Sequence, residues 1–339
     1  MYLQSLASAF PEACYTQREC WEFVRPAAEA TLTRRSNKVL ETVLNGVSGI
    51  ETRHFAIEPS ALFGMDAQAL NNAFEREAPA LAARALEKAC REAGTPPEAI
   101  DALFVCTCSG YLCPGVSSHL AEQAGLRTDT FLNDLGGLGC GAAIPTMHAA
   151  EAFLALNPDA LVATVAVEIC SAAYYLDDDA GVLVSACLFG DGASAALWRG
   201  RDAGQQWQVA HFRSVHLPEH REAIRFVNAG GKLRNQLHRS VPEVAGRAVE
   251  SLYAQRTGTP DAIIAHTGGR DVIDEIERRL PQYPLSDTRE TLRRHGNLSS
   301  PSVMLALENR LGQLRDEKYL WLTSFGAGFA AHSCELKRG

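Results

Sequence analysis

Apolar runs alternate with amphipathic segments along most of this chain, and that alternation restricts its fold more than any other feature. Runs at 101–109 ("DALFVCTCS"), 159–170 ("DALVATVAVEIC"), 183–190 ("LVSACLFG") and 261–268 ("DAIIAHTG") have the length and β-branched content of buried strands. A last run, 318–336, is expected to fold as a hairpin around Gly326 and Gly328. Helical periodicity falls between them, at 78–93, 141–156, 242–256, 270–281 and 300–313. Glycine and proline mark the joints at Gly94, Pro96–Pro97, Pro114–Gly115 and Gly268–Gly269. Strand–helix alternation of this kind favours an α/β architecture. Residues 200–225 are polar and weakly periodic, so the seam between two halves, 1–205 and 206–339, is expected there. Element order is similar in the two halves, and no solenoid period or low-complexity tract interrupts it.

Composition narrows the function classes. The formal net charge is −8, which offers no general basic surface to replace counterions on nucleic acid. No apolar run approaches the roughly 18–20 residues that a membrane span needs. The N-terminal "MYLQSLASAFPEA" lacks a basic n-region and meets Pro11 and Glu12 early, unlike a secretory signal. A cytoplasmic protein is therefore expected, with its ten cysteines reduced. Cys106, Cys108 and Cys113 are spaced C-x-C-x4-C, without the C-x2-C pairs that suit tetrahedral zinc, so no metal site is expected.

Three residues stand at glycine-marked junctions. Cys140, between Gly139 and Gly141, precedes the helical pattern of 141–156, where a helix N-terminus would favour a thiolate. His266 closes the apolar run "DAIIA", and Asn297 lies in "HGNLSSPSV" just before a helix that it could equally cap. Taken singly, each also fits a purely structural role. Together they supply a sulfur nucleophile and two neutral donors for an oxyanion. A cysteine hydrolase uses similar residue types, yet the C-G-[SA]-C-[WY] signature of papain-like enzymes is absent.

Six segments in order resemble the type III polyketide synthases, the chalcone synthase group of the thiolase and ketoacyl synthase III superfamily. They are "TCSGYLCPGVSSHLAEQAGL", "VEICSAAYYLDDD", "LFGDGASAALW", "IAHTGGRDVIDEIERRL", "HGNLSSPSVMLALENRL" and "SFGAGFAAHSCEL". The resemblance covers nearly the whole chain. It implies a duplicated five-layer αβαβα fold, a homodimer, and Cys140, His266 and Asn297 as the catalytic triad. Phe189 falls on an aromatic gatekeeper and Cys113 on the residue that reaches the neighbouring subunit. Cys108, Ser109, Cys170 and Ala173 match positions lining the reaction chamber.

The implied activity is decarboxylative condensation: an acyl thioester loaded on Cys140 and extended from a malonyl thioester. Acyl-coenzyme A and malonyl-coenzyme A would be the substrates, with no metal or redox cofactor. Three departures stand out. Asn235 occupies the second gatekeeper's aromatic position, and Ala327 replaces a proline of the closing loop. The cations that hold coenzyme A phosphates in plant enzymes fall on the apolar stretch "VLETVLNGV" (39–47). Arg34, Arg35 and Lys38 are the nearby substitutes, unless the acyl group arrives on an acyl carrier protein. The alternatives are a single carrier-dependent condensation of the ketoacyl synthase III kind, a cysteine thioesterase, and a catalytically idle thiolase-fold subunit.

Overall fold

Strands buried on both faces need cover from two sides, and the apolar runs obtain it. The computed structural model describes residues 1–339 apart from 203, 205, 206, 314 and 315. In chain order its strands are β1 (Tyr2–Ala9), β2 (Cys14–Thr16), β3 (Thr52–His54), β4 (Ala102–Cys106), β5 (Phe131–Leu135), β6 (Leu161–Glu168), β7 (Gly192–Arg199), β8 (Trp207–His216), β9 (Ile224–Ala229), β10 (Lys232–Leu237), β11 (Ala262–Ala265), β12 (Tyr319–Gly326) and β13 (Ala330–Arg338). Among the described residues, nine of them form one sheet in the order β11-β12-β13-β8-β1-β7-β6-β4-β5. Five adjacent strands come from the first 199 residues and four from beyond 206, and the two sets join through Tyr2 opposite Gln208. Pairing is parallel for β4–β5, β4–β6 and β11–β12 and antiparallel elsewhere in the sheet.

The layers follow from where alternate side chains point. On β4, Ala102, Phe104 and Cys106 pack into one core, and Leu103 and Val105 into another. On β11, Ala262 and Ile264 share the first of those cores, whereas Ile263 and Ala265 enter a third. The shared core holds helices Ala143–Leu156 and Ser302–Leu311 between strands of both sets. Helix Ala67–Glu92 covers the outer face of the first set. Helices Val241–Tyr253 and Arg270–Arg279 cover that of the second. Helix, strand, helix, strand, helix is the five-layer arrangement of thiolase-like folds.

Several sequence expectations change. The run 183–190 is helical, not a strand: Ala180–Leu188 starts where the Asp179 carboxylate accepts the N–H groups of Gly181 and Val182. A short run buried on most sides carries no period that separates the two forms. The polar 200–225 stretch contains β8, held by its antiparallel pairing with β13 rather than by apolar content. Helix Ala67–Glu92 starts well before 78 and continues through Pro79. The seam expected between 205 and 206 lies outside the described residues. No helix is long and apolar enough to cross a membrane, among the described residues.

Candidate active site

Each candidate residue is delivered by a different junction. Cys140 lies in the single 3-10 turn Gly139–Gly141, directly ahead of helix Ala143–Leu156. The closing hairpin presses on that turn. A Cβ at Gly326 would stand 2.5 Å from the Gly141 nitrogen and 2.3 Å from the Leu138 carbonyl oxygen. Glycine is required there by close approach, because φ at Gly326 is extended. Gly139 is required twice over: its φ is +58°, and a Cβ would lie 2.8 Å from the Ala327 nitrogen.

His266 follows β11 directly, and its backbone N–H donates to the Thr323 carbonyl on β12 (3.0 Å). Its ring stands edge-on to Phe325, with centroids 5.1 Å apart at 80°. Nδ1 is buried without a hydrogen-bond partner, among the described residues. Burial pushes the imidazole pKa down to about 3, so the ring is neutral at working pH. A neutral imidazole carries one N–H, so one ring nitrogen can donate and the other accept.

Asn297 does not cap a helix; helix Ser302–Leu311 begins after Pro301. It bridges instead to the loop after helix Ala180–Leu188, with its N–H on the Leu188 carbonyl (2.9 Å) and its carbonyl on the Gly190 N–H (3.0 Å). Its side-chain Oδ1 accepts the Ser299 N–H (2.8 Å), which orients the amide so that Nδ2 is left to donate. Thr267 ties the histidine to this loop, donating to the Ser302 hydroxyl at 2.9 Å. The three side chains line one cavity of about 410 Å³, together with Phe189, Phe325 and Leu188.

Beneath Cys140 lies a fully buried carboxylate, Glu168, at the end of β6. It accepts hydroxyl donors from Ser109 (2.7 Å) and Ser300 (2.6 Å) and the backbone N–H groups of Cys108 and Ser109 (both 3.0 Å). Ser299, at a left-handed φ of 59°, places its hydroxyl 3.3 Å from Cys140 Sγ, 3.2 Å from Glu168 Oε1 and 3.2 Å from Cys108 Sγ. A non-glycine residue in that region is strained, and here the strain sets the hydroxyl between two thiols and a carboxylate.

Desolvation works against the helix-end thiolate expected from sequence. Burial pushes the Cys140 thiol up to about 12; the Ser299 hydroxyl opposes this, and Glu168 adds to it. Desolvation favours the neutral form of both the thiol and the imidazole. One 3-10 turn offers weaker dipole stabilisation than the helix start foreseen, and desolvation outweighs it.

The remaining predicted residues fall in three places. Phe189 lines the main cavity and also a second, narrower one, which Cys170, Ala173 and Asn235 line with Phe226. Asn235 sits directly opposite Phe226 in the β9–β10 pairing, so an aromatic ring does reach this wall, from the neighbouring strand. Cys108 and Ser109 are engaged with Glu168 rather than facing the main cavity. Cys113 is exposed. Arg34, Arg35 and Lys38 do not line the main cavity, and Lys38 pairs with Glu41 at 2.9 Å.

Sequence reasoning missed the buried charges that shape the site. Arg53 is buried and spans the Phe189 and Ala186 carbonyls (2.8 and 2.9 Å), fixing the loop that Asn297 bridges. Asp191 accepts from the Ala56 N–H and from the Ser171 N–H and hydroxyl, and burial pushes its carboxyl up to about 6. A charged residue inside an apolar run, as Glu168 is in "LVATVAVEIC", was the available signal.

Residues 13–252 match the family model described as FAE1/Type III polyketide synthase-like protein, and residues 256–338 match the 3-Oxoacyl-[acyl-carrier-protein (ACP)] synthase III C terminal. The 1,3,6,8-tetrahydroxynaphthalene synthase of Streptomyces peucetius subsp. caesius is 31% identical over 354 residues, covering 97% of this chain and 91% of that protein. The crystal structure of the 1,3,6,8-tetrahydroxynaphthalene synthase from Streptomyces coelicolor A3(2) superposes with a TM-score of 0.86 at 25% identity, covering 100% of this chain and 99% of the other. PKS-I from the brown alga Ectocarpus siliculosus has the same fold, with a TM-score of 0.89 at 22% identity and coverage of 100% and 98%. Layers and cavity thus define a condensing enzyme of the thiolase and ketoacyl synthase III superfamily. Within it, the chain belongs to the type III polyketide synthases.

Proposed function

We propose that Cys140 is the acyl-carrying nucleophile and that His266 and Asn297 stabilise the enolate of a malonyl thioester. One observation carries this reading: three junctions far apart in sequence bring a thiol, a neutral imidazole and an oriented amide to one cavity. Loading exchanges thiols. The acyl carbon bonds to Cys140 Sγ, and the thiol proton leaves with the departing coenzyme A thiolate. The malonyl carboxylate then departs as carbon dioxide, and its electron pair becomes an enolate. Nε2 of His266 and Nδ2 of Asn297 donate to the enolate oxygen. The enolate carbon attacks the Cys140 thioester, the C–S bond breaks, and the released sulfur takes a proton, which its high pKa in this pocket favours.

The two thiolase-like halves, 1–205 and 206–339, would each supply part of this site. A homodimer is the expected assembly. β5 is a sheet edge that exposes Phe131 and Leu132, Tyr111 and Cys113 are exposed as well, and an apolar edge strand is normally covered. A cytoplasmic setting agrees with ten free cysteines. The C-terminal match keeps a second reading in view, a single condensation with carrier-delivered acyl groups.

Mass spectrometry after incubation with an acyl thioester tests the assignment: an adduct is expected on the Cys140 peptide. Cys140→Ala should end condensation while malonyl decarboxylation persists. Normal condensation by that variant would refute the nucleophile, and release of free acid alone by the wild type would favour a thioesterase. Products from a panel of acyl thioesters with malonyl-coenzyme A separate repeated from single extension.

A further inference from the structure

Beyond Phe189 the main cavity, of about 410 Å³, meets the narrow one, of about 30 Å³. So small a space holds a water or two, and an acyl group enters it only where a wall gives way. One wall is the segment carrying Cys170, Ala173, Tyr174 and Tyr175; another carries Phe226 on β9 and Asn235 on β10. The second wall differs in kind. Among the described residues β9 and β10 pair only with each other, outside the nine-stranded sheet. A two-stranded hairpin is marginal by itself, so its position is set by whatever grips it from outside.

Three contacts grip this hairpin. Near the tip, the Lys232 ammonium donates to the Met65 carbonyl at 2.7 Å. At the base, Leu237 presses on helix Ala180–Leu188: a Cβ at Gly181 would stand 2.3 Å from the Leu237 carbonyl oxygen. Midway, Arg234 Nε donates to Asp177 Oδ2 at 2.7 Å, with Nη2 3.5 Å from Asp179 Oδ2. The Arg234 side chain is only 19% exposed and that of Asp177 31%. This third contact joins the two walls, because Arg234 is adjacent to Asn235 and Asp177 lies two residues after Tyr175. The next two carboxylates brace the loop that holds Asp177. Asp178 accepts the Thr33 N–H (2.9 Å) and hydroxyl (2.8 Å) at the start of helix Arg34–Thr42, and Asp179 caps helix Ala180–Leu188.

We propose that the Arg234–Asp177 pair is a latch: it holds the β9–β10 hairpin against segment 170–175 and so sets the size of acyl group admitted beyond Phe189. This rests on the condensing role given to the main cavity. Neither residue lines either cavity, so both are positioning residues. A partly buried pair bonded through a guanidinium N–H is directional and less screened than a surface pair. Without it the hairpin is held at its two ends, and its middle, where Phe226 and Asn235 sit, is free to move outward.

The test uses Arg234→Gln, Asp177→Asn, their double variant, and Arg234→Lys, which keeps the charge; thermal melting confirms their folding. Cys170 reports on the inner cavity without turnover. Its labelling by N-phenylmaleimide, followed on its peptide by mass spectrometry, should speed up roughly 3- to 10-fold in either neutral variant. That range lies between an exposed ion pair and a buried charged hydrogen bond. The ratio of kcat/KM for octanoyl-coenzyme A to that for acetyl-coenzyme A, each with malonyl-coenzyme A, should rise by a similar factor. The double variant should match the single ones within about twofold, as for two residues acting as one unit. Arg234→Lys should stay within about twofold of wild type.

Unchanged labelling in the folded neutral variants overturns the latch, whatever the ratio does. Effects that multiply in the double variant overturn it too, as does a lysine variant as open as the glutamine one. Faster labelling with an unchanged ratio shows a hairpin that loosens without selecting substrates, and overturns the specificity role. If no form of the protein condenses any thioester, the condensing reading fails, and the labelling alone decides whether the latch exists.

Discussion

The two sides of Cys140 are built on opposite principles. Towards Glu168 every polar group has partners: two serine hydroxyls, two backbone N–H groups and the strained Ser299 converge on one buried carboxylate. Towards His266 the wall is less saturated; Phe325 meets the ring edge-on, and Nδ1 has no partner among the described residues. A saturated network holds geometry, because breaking any bond strands a buried group. An unsaturated wall contributes little to stability but leaves donors for a charge that appears only during reaction. On the proposed function, the carboxylate side is the frame and the histidine side is the instrument.

The largest expected effect tests the instrument. His266→Ala or Asn297→Ala should slow condensation by about 100- to 1000-fold with little change in melting temperature. A comparable loss of stability would make the two sides alike. The frame is tested next. Glu168→Ala strands several buried donors at about 1–3 kcal/mol each, so urea denaturation should show a loss of roughly 3 kcal/mol or more. A variant as stable as the wild type would end the comparison.

A smaller effect reads the resting protonation state. With its thiol pushed up to about 12, Cys140 in the free enzyme should be alkylated by iodoacetamide about tenfold faster per pH unit through neutral pH. The Cys140 peptide is followed by mass spectrometry, since Cys14 and Cys113 are exposed and react independently. A rate level from pH 6 upward would show a preformed thiolate and imidazolium.

The smallest effect lies outside the site. His332 is buried and His295 half-buried, and desolvation pushes both pKa values down to about 4 against an ordinary 6.5. The folded state therefore binds fewer protons than the unfolded state between those values. Their contribution to stability is complete above pH 6.5 and is lost as pH falls through about 4. Melting temperature should drop by a few degrees over that window, and His332→Gln should flatten the slope.

Much of the architecture was legible because burial on both faces leaves continuous apolar runs: the runs holding β4, β6 and β11 and the closing hairpin are where the sequence puts them. The run 183–190 was misread because a helix and a strand buried all round have the same composition. β8 was invisible because an exposed strand depends on its neighbour for its hydrogen bonds. The three junction residues were legible through their glycines and their order.

What the sequence determined by itself is therefore the layer pattern, the family and the expectation that Cys140, His266 and Asn297 share one site, since these depend on local chemistry and on motifs. Tertiary structure alone decided which groups surround them. Ser299 and Glu168 meet Cys140, Phe226 stands across from Asn235, and Arg270 rather than Arg34, Arg35 or Lys38 reaches the cavity mouth. Desolvation and hydrogen bonding act between residues distant in the chain, so the protonation state of the thiol is a property of the fold.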